Sequence, residues 1–138
     1  MSISSFTNNF VSFMESAGVS RDNLYISDND SEFDTVGFID ADNNGNTYDV
    51  TILIDRNNSN AAIYIKRELK KYNEINVLKF INELNKYFVN GCFYCEDKGK
   101  TLVYRNDIQN LNGDVGVLVG YVVNSIERCK EQSVKIDG

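Results

Sequence analysis

The sequence predicts an α+β fold, an antiparallel sheet with helices packed on it. The order is α-β-β-β-(β)-α-β-β-α over one domain spanning residues 1–138. Three observations carry this. Apolar residues recur at helical spacing near both ends of the chain and once in the middle. Between them lie short segments in which apolar and polar residues alternate, punctuated by Asn-Gly and Lys-Gly turns. The strands are also grouped together instead of interleaved singly with helices, which favours antiparallel pairing over parallel crossovers.

Ile3, Phe6, Phe10, Phe13, Met14 and Ala17 trace a helix over residues 3–17, and Gly18 is its natural stop. Residues 24–26 form a short strand before an acidic turn at Asp28, Asn29 and Asp30. Phe33, Val36, Phe38 and Ile39 place a strand over 33–41. Residues 47–55 alternate cleanly, with Tyr48, Val50, Ile52 and Ile54 on one face and Asp49, Thr51 and Asp55 on the other. Between these two strands lies Asn44-Gly45, a hairpin turn, because glycine takes positive φ without steric cost. Residues 56–60 read as another turn and 61–65 as a further strand, so 22–66 is an antiparallel meander. Residues 66–71 read as a charged connection.

Val77, Leu78, Ile81, Leu84 and Phe88 form the apolar stripe of a second helix over about 74–88, with Gly91 behind it. Residues 92–96 and 101–105 make a second hairpin around Asp97, Lys98 and Gly99. Val115, Leu118, Val119, Val122, Val123 and Ile126 define a third helix, with Asn112 or Asp114 as its cap. The polar tail after Cys129 is expected to fray.

Composition narrows the function. With 42% hydrophobic residues, eight Phe and eight Tyr, the chain supports one substantial core. Its net charge of -6 repels phosphate and anionic lipid, so no nucleic-acid or membrane partner is expected, and a basic partner suits it better. No apolar run is long enough to span a bilayer, and residues 1–5 lack the basic and apolar regions of a secretory signal. Three cysteines without a disulfide framework suit a reducing, cytoplasmic setting. Abundant Asn resembles the AT-biased coding of a low-GC bacterium. The chain has no His, which removes the commonest general base and metal ligand.

The motifs that could carry chemistry each fall short. Asp40, Asp42, Asn44 and Gly45 match the first half of an EF-hand loop, but the twelfth position is Thr51 where calcium needs a bidentate Glu. The flanks alternate like strands, so these residues read as a hairpin turn. Cys92 and Cys95 form a C-x-x-C within a strand, which points the two thiols to opposite faces. Zinc would want four ligands from three Cys and no His. Neither a G-x-S-x-G elbow nor a phosphate-cradling Gly loop is present. The carboxylate pairs Asp28/Asp30 and Asp40/Asp42 lie in polar turns and read as solvated. Lys66, Arg67, Lys70 and Lys71 read as a solvated connector, with a docking patch for an acidic partner segment as the alternative.

The second hairpin is more informative. Cys92, Phe93, Tyr94 and Cys95 sit opposite Leu102, Val103 and Tyr104, so apolar or aromatic side chains occupy both of its faces. One face can pack under the helices. The other is either covered too, or is an exposed patch that marks an interface.

Residues 77–85, then Gly91, Cys92 and Phe93, then residues 98–105 resemble the YbjN family. The matching features are a helix ending in an Asn-x-x-Asn-like stretch, a Gly-x-Phe strand start, and a second hairpin strand carrying an aromatic followed by a basic residue. That family is similar in fold to type III secretion chaperones, which are small, acidic, usually dimeric and bind extended segments of client proteins. The resemblance implies a fold and a binding role, and it carries over no active-site residue.

The expectation is a non-enzymatic protein-binding module, chaperone-like or an adaptor or regulator, without cofactor or metal. It would bind a protein partner through a sheet face or strand edge and form a homodimer. The candidate interface residues are Tyr94, Leu102, Tyr104 and Cys92. The alternative is an acidic immunity or inhibitor protein that neutralises a basic toxin.

Overall fold

The computed structural model describes residues 3–28, 32–56, 60–88 and 91–137. The turns expected at 29–30 and 57–59 lie outside these residues. The elements run α1 (Ser5–Ser16), β1 (Tyr25–Ser27), β2 (Phe33–Ala41), β3 (Thr47–Asp55), β4 (Ala61–Glu68), α2 (Glu74–Asn85), β5 (Cys92–Glu96), β6 (Thr101–Ile108) and α3 (Val115–Asp137). This is the predicted α+β order, with the optional fourth strand present.

The six strands form one antiparallel sheet in the order β1-β2-β3-β4-β6-β5. The meander and the later hairpin are therefore continuous, because β6 pairs with β4 after α2 has crossed over. The helices lie on one face. Val36 and Phe38 of β2, Tyr48 to Ile54 at alternate positions of β3, Ile63 and Ile65 of β4, and Leu102 and Tyr104 of β6 point toward them. They meet Phe10, Val11 and Met14 of α1, Val77 and Ile81 of α2, and Leu118, Val122 and Cys129 of α3. Each helix thus buries a stripe at spacings of three and four.

Polar side chains on the buried face tie helices to sheet. Asp34 accepts from the Ser4 backbone N–H at 3.0 Å and the Thr7 hydroxyl at 2.7 Å, and its other oxygen faces Arg56 Nε at 2.7 Å. Burial pulls this carboxyl up, but the bonds from Thr7 and Ser4 and the Arg56 charge outweigh it and hold it below its ordinary value. Ser4 in turn caps α1 by accepting from the Thr7 N–H. Asp114 caps α3 in the same way, accepting from the Val117 N–H at 3.2 Å.

Two expectations need correction. Residues 66–68 are not a connector but the end of β4. Arg67 follows Ala61, Ile63 and Ile65 at an inward position and is buried. Its guanidinium donates to the Tyr48 hydroxyl (3.1 Å), the Ser133 hydroxyl (2.6 Å) and the Asp137 carboxylate (2.6 Å). The basic docking patch that included it therefore does not exist as one surface. Nor does the tail after Cys129 fray. Gln132 and Ser133 are buried, and Asp137 also accepts the backbone N–H groups of Lys70 and Lys71, which anchors the end of α3.

Candidate interface

The face of the sheet opposite the helices is open. One row across it reads Tyr25, Gly37, Thr51, Tyr64, Arg105 and Cys92, in order from β1 to β5. The next row reads Ile39, Asp49, Lys66, Val103 and Tyr94. On the other side of the first row lie Thr35, Leu53, Ala62 and Asp107. The face is thus a mixture of aromatic, aliphatic and charged groups, with apolar area reaching solvent.

Local contacts hold these side chains. Arg105 stacks over the Tyr64 ring at 5.1 Å and donates to Asp107 at 3.0 Å, and that bond raises its already high pKa. Lys66 pairs with Glu96 at 3.2 Å, bridging β4 to β5 above Val103 and Tyr94. Burial, then the Glu96 charge, raises the Tyr94 phenol and keeps it neutral. Tyr25 covers Gly37, since a Cβ there would lie 3.7 Å from the Tyr25 Cβ. Two grooves cross this face, of about 560 Å³ and about 530 Å³, and both are lined by Ile39 and Asp49. Ile39 is 68% exposed, an apolar side chain standing between two hollows.

The four residues singled out from the sequence divide between the faces. Cys92 is exposed and Tyr94 half-buried on the open face. Leu102 and Tyr104 are fully buried on the helix face and cannot contact a partner. The register decides this: Tyr104 pairs with Phe93 and Leu102 with Cys95, and both pairs point inward. Tyr104 stacks on Phe93 at 4.7 Å between ring centres and accepts from Arg128 through its hydroxyl. Sequence reasoning missed Tyr64 and Ile39 as residues of the open face. For Tyr64 the signal was available in the alternation of β4, where it stands outward between the inward Ile63 and Ile65; Ile39 has the inward Phe38 on one side but Asp40 on the other, which blurs the pattern.

The two edges of the sheet differ. The Asn85 side chain accepts from the Phe93 N–H and donates to the Phe93 C=O, both at 2.9 Å, so it imitates a neighbouring strand and closes the β5 edge there. At the other edge β1 pairs only with Thr35, Val36 and Gly37 of β2. No described strand lies beside Phe38 to Ala41 on that side.

The remaining motifs are structural. Asp42 accepts from the backbone N–H groups of Asn44 and Asn46, the Asn46 amide and the Tyr48 hydroxyl. The Asn46 amide bond leads in lowering its pKa to about 2. Asp40 pairs with Lys130 at 2.6 Å. The EF-hand-like residues thus spend their oxygens on the hairpin and on α3. Among the described residues, no cluster of His, Cys, Asp or Glu is placed to hold a metal, and no helix is long and apolar enough to cross a membrane. Cys95 faces the core, where burial and then the Glu74 charge raise its thiol; burial pushes Cys129 up to about 12. Both stay protonated at neutral pH and are poor nucleophiles. No protein-family model, curated protein or solved structure matches the chain.

Proposed function

We propose that the chain is a non-enzymatic protein-binding module, chaperone-like or an adaptor, that takes its partner on the open sheet face and the adjoining β2 edge. The observation that supports this is the one-sided cover: three helices pack on one face, while the other leaves Ile39 exposed between two grooves, with Tyr64 and Tyr94 half-buried on the same face. The unpaired β2 edge offers main-chain hydrogen bonds to an extended segment, and the grooves offer side-chain selection. Asn85 obstructs the β5 edge at Phe93, which favours the opposite side of the sheet for such pairing. The resemblance to the YbjN family points the same way, and with it comes a homodimer; three cysteines without a disulfide framework suit a cytoplasmic setting.

Affinity capture from the source organism tests the reading when wild type is compared with the variant Ile39→Lys/Tyr64→Ser. A protein held by wild type and lost by the variant is the expected result. Equal capture by both defeats it. Light scattering tests the dimer, and a strict monomer removes that part. Among the described residues, the immunity-protein alternative has only Asp49 and Glu68 to draw on beside these grooves, because Glu96 and Asp107 are paired with Lys66 and Arg105.

A further inference from the structure

A second surface lies away from the open face, where the start of α2 meets the end of α3. A groove of about 440 Å³ there is lined by Lys71, Tyr72, Asn76, Val77, Phe80 and Lys135. Its floor is apolar, with Val77 buried and Phe80 half-buried, and the Tyr72 ring stands 48% exposed at its side. Its rim is cationic. No ion pair among the described residues joins Lys71 or Lys135 to a carboxylate. The acid nearest Lys135 in the chain is committed elsewhere. Asp137 spends its two oxygens on Arg67 and on the backbone N–H groups of Lys70 and Lys71. The Glu74 carboxylate lies toward β5, close enough for its charge to raise the Cys95 thiol. The N-terminal end of α2 adds partial positive charge beside Asn76. On a chain of net charge -6, this is a locally positive groove with an apolar floor.

We propose that this groove docks an acidic segment of another protein. An aromatic or aliphatic side chain of that segment fills the space over Val77 and Phe80, and flanking carboxylates meet Lys71 and Lys135. The apolar contact supplies affinity, and the charges supply orientation and association rate. The hollow takes one or two side chains, far short of the roughly 800 Å² per partner of a stable dimer, so a short segment suits it better than a second copy. This surface is separate from the sheet face, so the two proposals fail independently.

Panning a displayed library of random dodecapeptides against the full chain tests it. The expected binders are acidic and carry a large apolar residue. A labelled synthetic copy of the best binder, followed by fluorescence anisotropy, loses affinity about tenfold or more in Lys71→Glu/Lys135→Glu and weakens as salt rises. It is unaffected by Ile39→Lys. Both lysine side chains are exposed, so the double variant stays folded, with a melting temperature lowered only slightly by the loss of the Lys135 charge from the last turn of α3. Absence of enriched peptides, enrichment of basic peptides, or equal binding by the double variant overturns the proposal. So does a concentration-dependent dimer that the double variant dissolves, which would assign the groove to self-association.

Discussion

Replacing Asp137 with Ala removes the only carboxylate paired with Arg67 among the described residues. The side chains of the pair are 3% and 5% exposed, and their contact is 2.6 Å. Without Asp137 the guanidinium keeps its hydrogen bonds to Tyr48 and Ser133 but remains a buried charge without a counter-charge. Breaking one side of such a pair costs about 3–5 kcal/mol. The backbone N–H groups of Lys70 and Lys71 also lose their acceptor, but both residues are exposed and water replaces it at little cost. Native proteins have a total stability of about 5–15 kcal/mol, so the loss is a large share. Urea unfolding should show a lower midpoint with an unchanged slope, since the folded surface is the same. Replacing both partners, in Arg67→Met/Asp137→Ala, should cost less than the sum of the single changes, with a coupling of about 1–3 kcal/mol. A loss below about 1 kcal/mol for Asp137→Ala would show that the pair is solvated, and would refute the account of how α3 is anchored.

Four further outcomes are expected. Gly91→Ala should destabilise by more than about 1 kcal/mol in chemical denaturation, because its φ is +84° and a Cβ would run into the Tyr104 hydroxyl. Asn85→Leu should lower the melting temperature, through two lost hydrogen bonds of about 1 kcal/mol each, and should raise light scattering on storage as the β5 edge is freed. Asp34 and Asp42 both have folded pKa values below their unfolded ones, so their stabilisation is whole above the unfolded value of 3.8 and is lost as pH falls through the folded values, which for Asp42 is about 2. An acid titration followed by circular dichroism should show Asp42→Asn losing less between those limits than wild type does. Calorimetry with calcium should give no heat of binding, since the hairpin already uses the Asp42 oxygens; a saturable signal would contradict that assignment.

The sequence made some of this legible and hid the rest for physical reasons. β3 was plain because every inward residue from Tyr48 to Ile54 is apolar or aromatic and the outward ones are mostly polar. The end of β4 was hidden because its inward residue is Arg67, whose buried partner Asp137 lies far along the chain. The last turns of α3 were hidden for a related reason: Gln132 and Ser133 face inward, and polar residues at inward positions erase a periodicity read from hydrophobicity alone. The hairpin with two apolar faces could not declare which face the helices take. Pairing of β6 with β4 settles it, bringing Asn106 to Ser125 of α3 and turning Leu102 and Tyr104 inward. The groove at Lys71 and Lys135 was invisible because it joins two elements distant in sequence.

The most direct measurement is amide hydrogen exchange on the protein with and without its captured partner. The account predicts new protection at Phe38 to Ala41 and along the strands that carry Tyr64 and Tyr94, with α1 and α3 unchanged. Protection confined to α1 or α3, with the sheet exchanging as in the free protein, would contradict it.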